Sequence, residues 1–201
     1  MLWFEAGCET RAIKMRGRTR LETWSRPITS AVQRETQVMS SRRKWEFELF
    51  THAAPDVCAA VTRAIAREDV PAIASIMYRA FQGTVDDEGM PEEQAARKVN
   101  AIIDGKYGPF IAAASRVAIV DGECAAFLLA TDYEPYGMPV IAAIAVAPEY
   151  RRRRYGRLLL QAATQALATL GYCRCCAMIS PGNAASEALF VSIGFKEAQP
   201  S

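Results

Sequence analysis

The chain has 201 residues, 51% of them hydrophobic, with 24 Lys and Arg against 22 Asp and Glu. This length and apolar content suit one globular domain of ~100–200 residues and exclude a disordered chain. No apolar run of ~18 or more residues offers a transmembrane helix. The net charge of +2 is a cancellation: residues 1–44 hold ten basic and four acidic residues, and residues 45–201 hold fourteen basic and eighteen acidic.

Residues 1–44 are rich in Arg, Thr, Ser and Gln and keep no sustained period of two or 3.6. They are expected to form a basic, disordered extension ahead of a domain over residues 45–201. The other reading is a basic arm that binds an acidic partner or nucleic acid. The opening MLWFEAGCETR lacks the basic and apolar regions of a secretory signal, and its glutamates argue against an organelle presequence. The six cysteines lack the spacing of a disulfide framework, so a reducing, cytoplasmic compartment is expected.

Further along, helix and strand patterns alternate. Trp45–Phe50 alternates aromatics with glutamates and predicts a strand, as does Val61–Ala66. Glu68–Phe81 carries Val70, Ile73, Ile76, Met77 and Phe81 on one helical face, with Pro71 tolerated in the first turn. After the loop Gln82–Gly89, a second helix spans Pro91–Asp104 and stops at Gly105. Strands follow at Ile111–Val120 and Cys124–Thr131 about an Asp121-Gly122 turn. The loop Asp132–Gly137 leads to Pro139–Val146, apolar throughout and so expected to be buried on both faces. Helices are expected at Arg154–Leu170 and Asn183–Ile193, with strands at Tyr172–Ile179 and Phe195–Glu197. The fold class is therefore α/β, a mixed sheet flanked by helices around one core.

The chemistry concentrates where the buried strand ending at Val146 turns through Arg151-Arg-Arg-Arg154 into a helix. Free amides at a helix N-terminus, ringed by arginines, suit an anion such as a pyrophosphate. An exposed basic loop or a nucleic-acid patch is the other reading of such a run.

The segment Val146-x-Pro148-x-Tyr150-Arg151-x-x-Arg154-x-Gly156-x-x-Leu159 resembles the acyl-CoA-binding motif of the GNAT superfamily of N-acetyltransferases. Asn183-x-x-Ser186-x-x-Leu189-Phe190-x-x-x-Gly194-Phe195 is similar to that family's later helix, and the resemblance runs over about Val61–Phe195. It implies a GNAT-like sheet with splayed central strands, acetyl-CoA as co-substrate, and transfer of an acetyl group to a small cationic amine or a peptide amine. Attack would be direct, within a ternary complex. Ile144 and Val146 would pair with the pantetheine arm through their main chain. The amides of Arg151, Arg152, Arg153, Arg154, Tyr155 and Gly156, with Arg157 following, would cradle the pyrophosphate. Asn183 would hydrogen-bond the pantetheine arm or help order the acceptor, and Phe190 would stand on the donor side.

Three departures from the family pattern matter. Arg154 stands where the motif has its first glycine, and a negative φ is expected there so that its N–H still donates. Phe190 replaces a tyrosine that often protonates the leaving thiolate. Pro139–Val146 holds no carboxylate to act as base. The catalytic expectation is Glu134 as base and Tyr136 as acid, with Asp132, Tyr133, the acid loop and water left open. His52 lies outside the matched core and is expected to be structural or exposed. A non-catalytic acyl-CoA-binding or sensing domain is the alternative function.

Asp86, Asp87 and Glu88 lie where this family walls its acceptor pocket. Either they attract a cationic acceptor or they cap the turn before Pro91. Lys106–Phe110 lines the same pocket or packs in the core. No metal site is expected, because Cys173 and Cys175 face one side of a strand and Cys176 the other. The family's usual last strand has no counterpart in the sequence, so Trp45–Phe50 is expected to pair at a sheet edge, or to be covered by a second subunit in a homodimer.

Overall fold

A computed structural model describes residues 42–50 and 62–199. Seven strands form one sheet: β1 (Arg43–Glu48), β2 (Thr62–Ala64), β3 (Arg116–Val120), β4 (Glu123–Tyr133), β5 (Met138–Val146), β6 (Arg174–Ile179) and β7 (Lys196–Glu197). Among the described residues, four helices cover it: α1 (Val70–Phe81), α2 (Glu92–Ile103), α3 (Tyr155–Thr169) and α4 (Ala184–Ile193). The strand order is β2-β3-β4-β5-β6-β1-β7, antiparallel except for the parallel pair β5–β6 joined through α3. The predicted His52 falls outside the described residues.

The apolar runs at the centre are explained by two buried faces. Along β4, Phe127 and Leu129 pack with α1 and α2, while Ala126, Leu128 and Ala130 face α3 and α4. Helix α1 buries Val70, Ile73, Ala74, Ile76, Met77 and Ala80, the spacing of one helical face. Each such fully buried aliphatic side chain contributes roughly 1.5–3 kcal/mol of transfer free energy. The entry to α1 is fixed by Asp69, whose carboxylate accepts the Ala66 N–H at 2.8 Å and both Arg63 guanidinium nitrogens at 2.6 and 2.7 Å. The Arg63 hydrogen bonds hold its pKa below the ordinary carboxylate value, against the opposing effect of burial.

The turn at Asp121-Gly122 has φ of +51° and +84°, the geometry of a two-residue hairpin that follows strand twist. Two expectations change. The strand expected from Ile111 begins only at Arg116. Residues 111–115 form a helical turn closed by Ala114 N–H to Ile111 O at 3.1 Å. Ile111 and Ala114, three apart, both reach the core in that turn, whereas in a strand they would face opposite sides.

The second change concerns β1, which is interior. It pairs antiparallel with β6, Arg43 to Glu48 against Ile179 to Arg174, and with β7 on its other side. Phe47 stacks on Phe195 at 5.0 Å, and Phe195 meets Phe190 edge-on at 4.9 Å. A Cβ at Gly194 would sit 3.1 Å from the Phe47 ring, so the end of α4 needs glycine both for this approach and for its φ of +110°.

Candidate functional site

The central strands part at a defined place. Strands β5 and β6 pair at Val140–Cys176 and Ile141–Ala177 and, among the described residues, at no later position. The register of β4 on β5 jumps there: Ala130 opposes Ile141, and Leu129 opposes Ala143. Ala142 is thus the extra residue of a β-bulge, which bends its strand away from the neighbour. Beyond it, the Ala147 N–H donates to Ala125 O at 2.9 Å. Alternation in an antiparallel ladder then aims the main chains of Ala145 and Ala143 at β4, and those of Ile144 and Val146 into the gap.

That gap opens into a cleft. One wall comes from α1, α2 and the loop between them, including Met77, Tyr78, Phe81, Asp86 and Glu88. The other comes from β6, the following turn and α4, including Met178, Ile179, Asn183 and Phe190. Phe190 is buried in that wall. Asn183 caps α4, accepting the Ser186 N–H at 3.0 Å, and its amide donates to Asp86.

The turn from β5 to α3 runs along the surface. Arg152, Arg153, Arg154 and Arg157 are exposed, Tyr155 is half-buried and Gly156 is buried. Arg151 donates to Ala80 O at 3.2 Å, tying the turn to α1. The expectation of a negative φ at Arg154 is overturned: φ is +67° there and +64° at Arg152. Four residues must reverse the chain from the Pro148–Tyr150 turn into α3, and alternating signs of φ achieve this. Main chains that alternate between right- and left-handed conformations can line one concavity with successive N–H groups, the form of an anion-binding nest. A Cβ on Gly156 would lie 3.3 Å from Leu189 and 3.5 Å from Val146, so the first turn of α3 sits against strand and helix with no room for a side chain.

The acid loop is split. Asp87 accepts the Gly83 and Gly89 N–H groups at 2.7 and 2.8 Å and so closes the turn on itself. Asp86 accepts the Ser180 hydroxyl at 2.6 Å, and Glu88 pairs with buried Lys98. The expected catalytic pair is not brought in: Glu134 is exposed, and half-buried Tyr136 packs with Met138, Val140 and Cys176, neither of them lining the cleft. Burial raises the Tyr136 pKa, so its phenol stays protonated. The tyrosine that lines the cleft is Tyr78. Of the Lys106–Phe110 stretch, Tyr107 is buried with α1 and α2 as core packing. Cys175 and Cys176 face opposite sides of the sheet, both thiol pKa values raised by burial, and Cys173 is exposed.

Sequence reasoning missed Arg42 and Lys98, both of which line the cleft. Among the described residues, no helix is long and apolar enough to cross a membrane.

The family model of the acetyltransferase (GNAT) family matches residues 70–195, and the chain belongs to that family. It is thus an enzyme of the N-acetyltransferase class, and the match begins after β1 and β2. Among solved structures, it resembles the ribosomal-protein-S18-alanine N-acetyltransferase of Escherichia coli at 25% identity, covering 69% of this chain and 78% of that one, with a TM-score of 0.55. It resembles a ribosomal-protein-alanine N-acetyltransferase of Brucella melitensis at 25% identity, over 69% and 86% of the two chains, with a TM-score of 0.53. The aminoglycoside N-acetyltransferase AAC(6')-Iy, solved with a CoA-containing bisubstrate analog, shares the fold at 18% identity, over 70% and 92%, with a TM-score of 0.56. No curated protein matches the chain at a significant level.

Proposed function

We propose that the chain transfers an acetyl group from acetyl-CoA to an amine by direct attack while both substrates are bound. The observation that carries this reading is the gap between β5 and β6, which presents the main chains of Ile144 and Val146 beside an anion nest at the start of α3. These features fit the donor chemically. Strand-like main-chain groups suit the amides of a pantetheine arm, and the amides from Arg151 to Gly156 suit its pyrophosphate. Exposed Arg152, Arg153, Arg154 and Arg157 add counter-charge. Asn183 holds the α4 end of the cleft, and Phe190 keeps that wall apolar.

When bound, the donor supplies an activated thioester carbonyl. A main-chain N–H of β5 facing the gap polarises that carbonyl as charge builds on its oxygen. The walls hold the acceptor amine in line. The amine's proton passes to the carboxylates of the α1–α2 loop or to water, because Glu134 stands outside the cleft. A thiol of pKa about 8.5 leaves without a dedicated acid, which suits Phe190 in place of a phenol.

Thiol release measured with spermidine, amino-acid amides and short peptides tests the reading. Turnover with any of these amines supports it. Tight acetyl-CoA binding with no turnover on all of them would favour the sensing domain, the reading to which Phe190 gives weight. Gly156→Glu should abolish the thermal shift given by acetyl-CoA, since its side chain must displace Leu189 and add a negative charge at the nest. An unchanged shift would remove the nest from the donor site.

A further inference from the structure

Arg42 stands immediately before β1 and well upstream of the residues the family model matches, yet its side chain is only 5% exposed and lines the cleft. Its guanidinium donates to Asp86 at 3.3 Å and to the Ser180 hydroxyl at 3.2 Å, and lies 3.7 Å from Glu88. It therefore touches both walls: the α1–α2 loop on one side and the turn after β6 on the other. The ladder to β6 starts at Arg43, so displacing the Arg42 side chain breaks no pair of that ladder.

The charges around it restrict what could replace it. The loop contributes Asp86, Asp87 and Glu88, and among the described residues the cations lining the same cleft are Arg42 and Lys98. Lys98 is fixed on α2 beside Glu88, whereas Arg42 arrives from a separate part of the chain. Withdrawing Arg42 with nothing in its place would take a charged partner from Asp86, a carboxylate only 15% exposed, and leave it the neutral Ser180 and Asn183 donors, which is unfavourable. A cation entering as Arg42 leaves conserves the balance.

We propose that Arg42 is a self-held plug of the acceptor side, and that the acceptor carries a guanidinium or a second ammonium, beside its reacting amine, that displaces it. This rests on the acetyltransfer reading above and deepens it, by naming the acceptor class. The reacting nitrogen must be neutral to attack, so the charge that replaces Arg42 belongs to a second group on the same molecule. While Arg42 is seated, the binding-competent fraction is small and the apparent affinity falls by that fraction.

Calorimetry with arginine amide, in the absence of any acyl donor, tests this on wild type and Arg42→Ala. The plug predicts about tenfold tighter arginine amide binding in the variant, the gain from freeing a site that was about one-tenth open. In steady-state assays KM for arginine amide should fall by a similar factor. KM for 2-phenylethylamine, which has no second cation, should not fall. Ser180→Ala keeps every charge and removes the hydroxyl that accepts from Arg42 and donates to Asp86. The Asp86 bond is lost whichever cation is seated, so the difference is the Arg42 bond, and arginine amide binding should tighten roughly two- to threefold. It gives an answer even if Arg42→Ala fails to fold. Unchanged or weaker arginine amide binding in the folded variants would overturn the proposal and make Arg42 a fixed bolt between the walls. Because calorimetry involves no donor, tighter binding supports the plug even where acetyl-CoA fails to bind. Unchanged binding overturns it even where acetyl-CoA binds tightly.

Discussion

Arg154 sits in the left-handed region with its Cβ against the following carbonyl, a conformation that costs an L-residue roughly 1–2 kcal/mol and glycine almost nothing. Its side chain is exposed, and the N–H it would offer a bound anion is common to every residue but proline. Arg154→Gly should therefore raise stability by about 1 kcal/mol, the strain relieved less the added chain entropy of glycine. Chemical denaturation should show this as a higher midpoint at unchanged slope. Acetyl-CoA affinity should change less than tenfold, because one exposed charge contributes little beside the main-chain donors. A lower midpoint would mean that the arginine side chain stabilises the turn. Asp69 is the converse case, a residue whose side chain does the structural work. Asp69→Asn should cost about 1 kcal/mol at neutral pH, discounted because the Arg63 partner is half exposed. The folded pKa is depressed, so the contribution is complete above the ordinary carboxylate value near 3.9 and fades as pH falls through the folded value. Urea titrations at pH 7 and pH 3 should show the gap between variant and wild type closing at the lower pH.

Among the elements, β1 makes the largest difference to the architecture. It joins β6 to β7 and carries Phe47 onto Phe195, which in turn braces Phe190 in the cleft wall. Phe47→Ala should destabilise the protein by about 2 kcal/mol, below the ~3–5 kcal/mol typical of a fully buried phenylalanine because the ring is only partly enclosed. Amide exchange should quicken first in β7, whose described ladder partner is β1. Fast exchange confined to β3 and β4 would contradict this. The bulge at Ala142 is the other decisive local feature. It ends the β5–β6 pairing and frees Ile144 and Val146, so the site depends on a defect in regular structure. Nothing in the uniformly apolar run Pro139–Val146 marks Ala142 as the extra residue.

At the scale of the molecule, the described residues form three layers with two helices on each face of the sheet, and the parallel pair opens at its carboxyl ends, where ligands bind in open α/β sheets. Charge is arranged to match: exposed arginines stand over the nest, and the acids of the α1–α2 loop stand inside the cleft, balanced by Arg42 and Lys98. Much of this was legible in the sequence, because helices α1 to α4, the hairpin turn and the strand–turn–helix motif are written in spacings of a few residues. Periodicity, proline at a first turn, glycine after a last turn and a run of arginines act locally, and they survive folding unchanged. The acid loop could be read two ways for the same reason: Asp87 closes its own turn, which is local, whereas Asp86 and Glu88 point into a cleft assembled from distant elements. What tertiary structure alone decided was long-range pairing. Arg42 meets Asp86 across 44 positions and Ser180 across 138, and β1 finds its slot between two strands from the far end of the chain. No spacing rule encodes such contacts, because they follow from which surfaces remain unburied after the sheet and its helices have closed on one another.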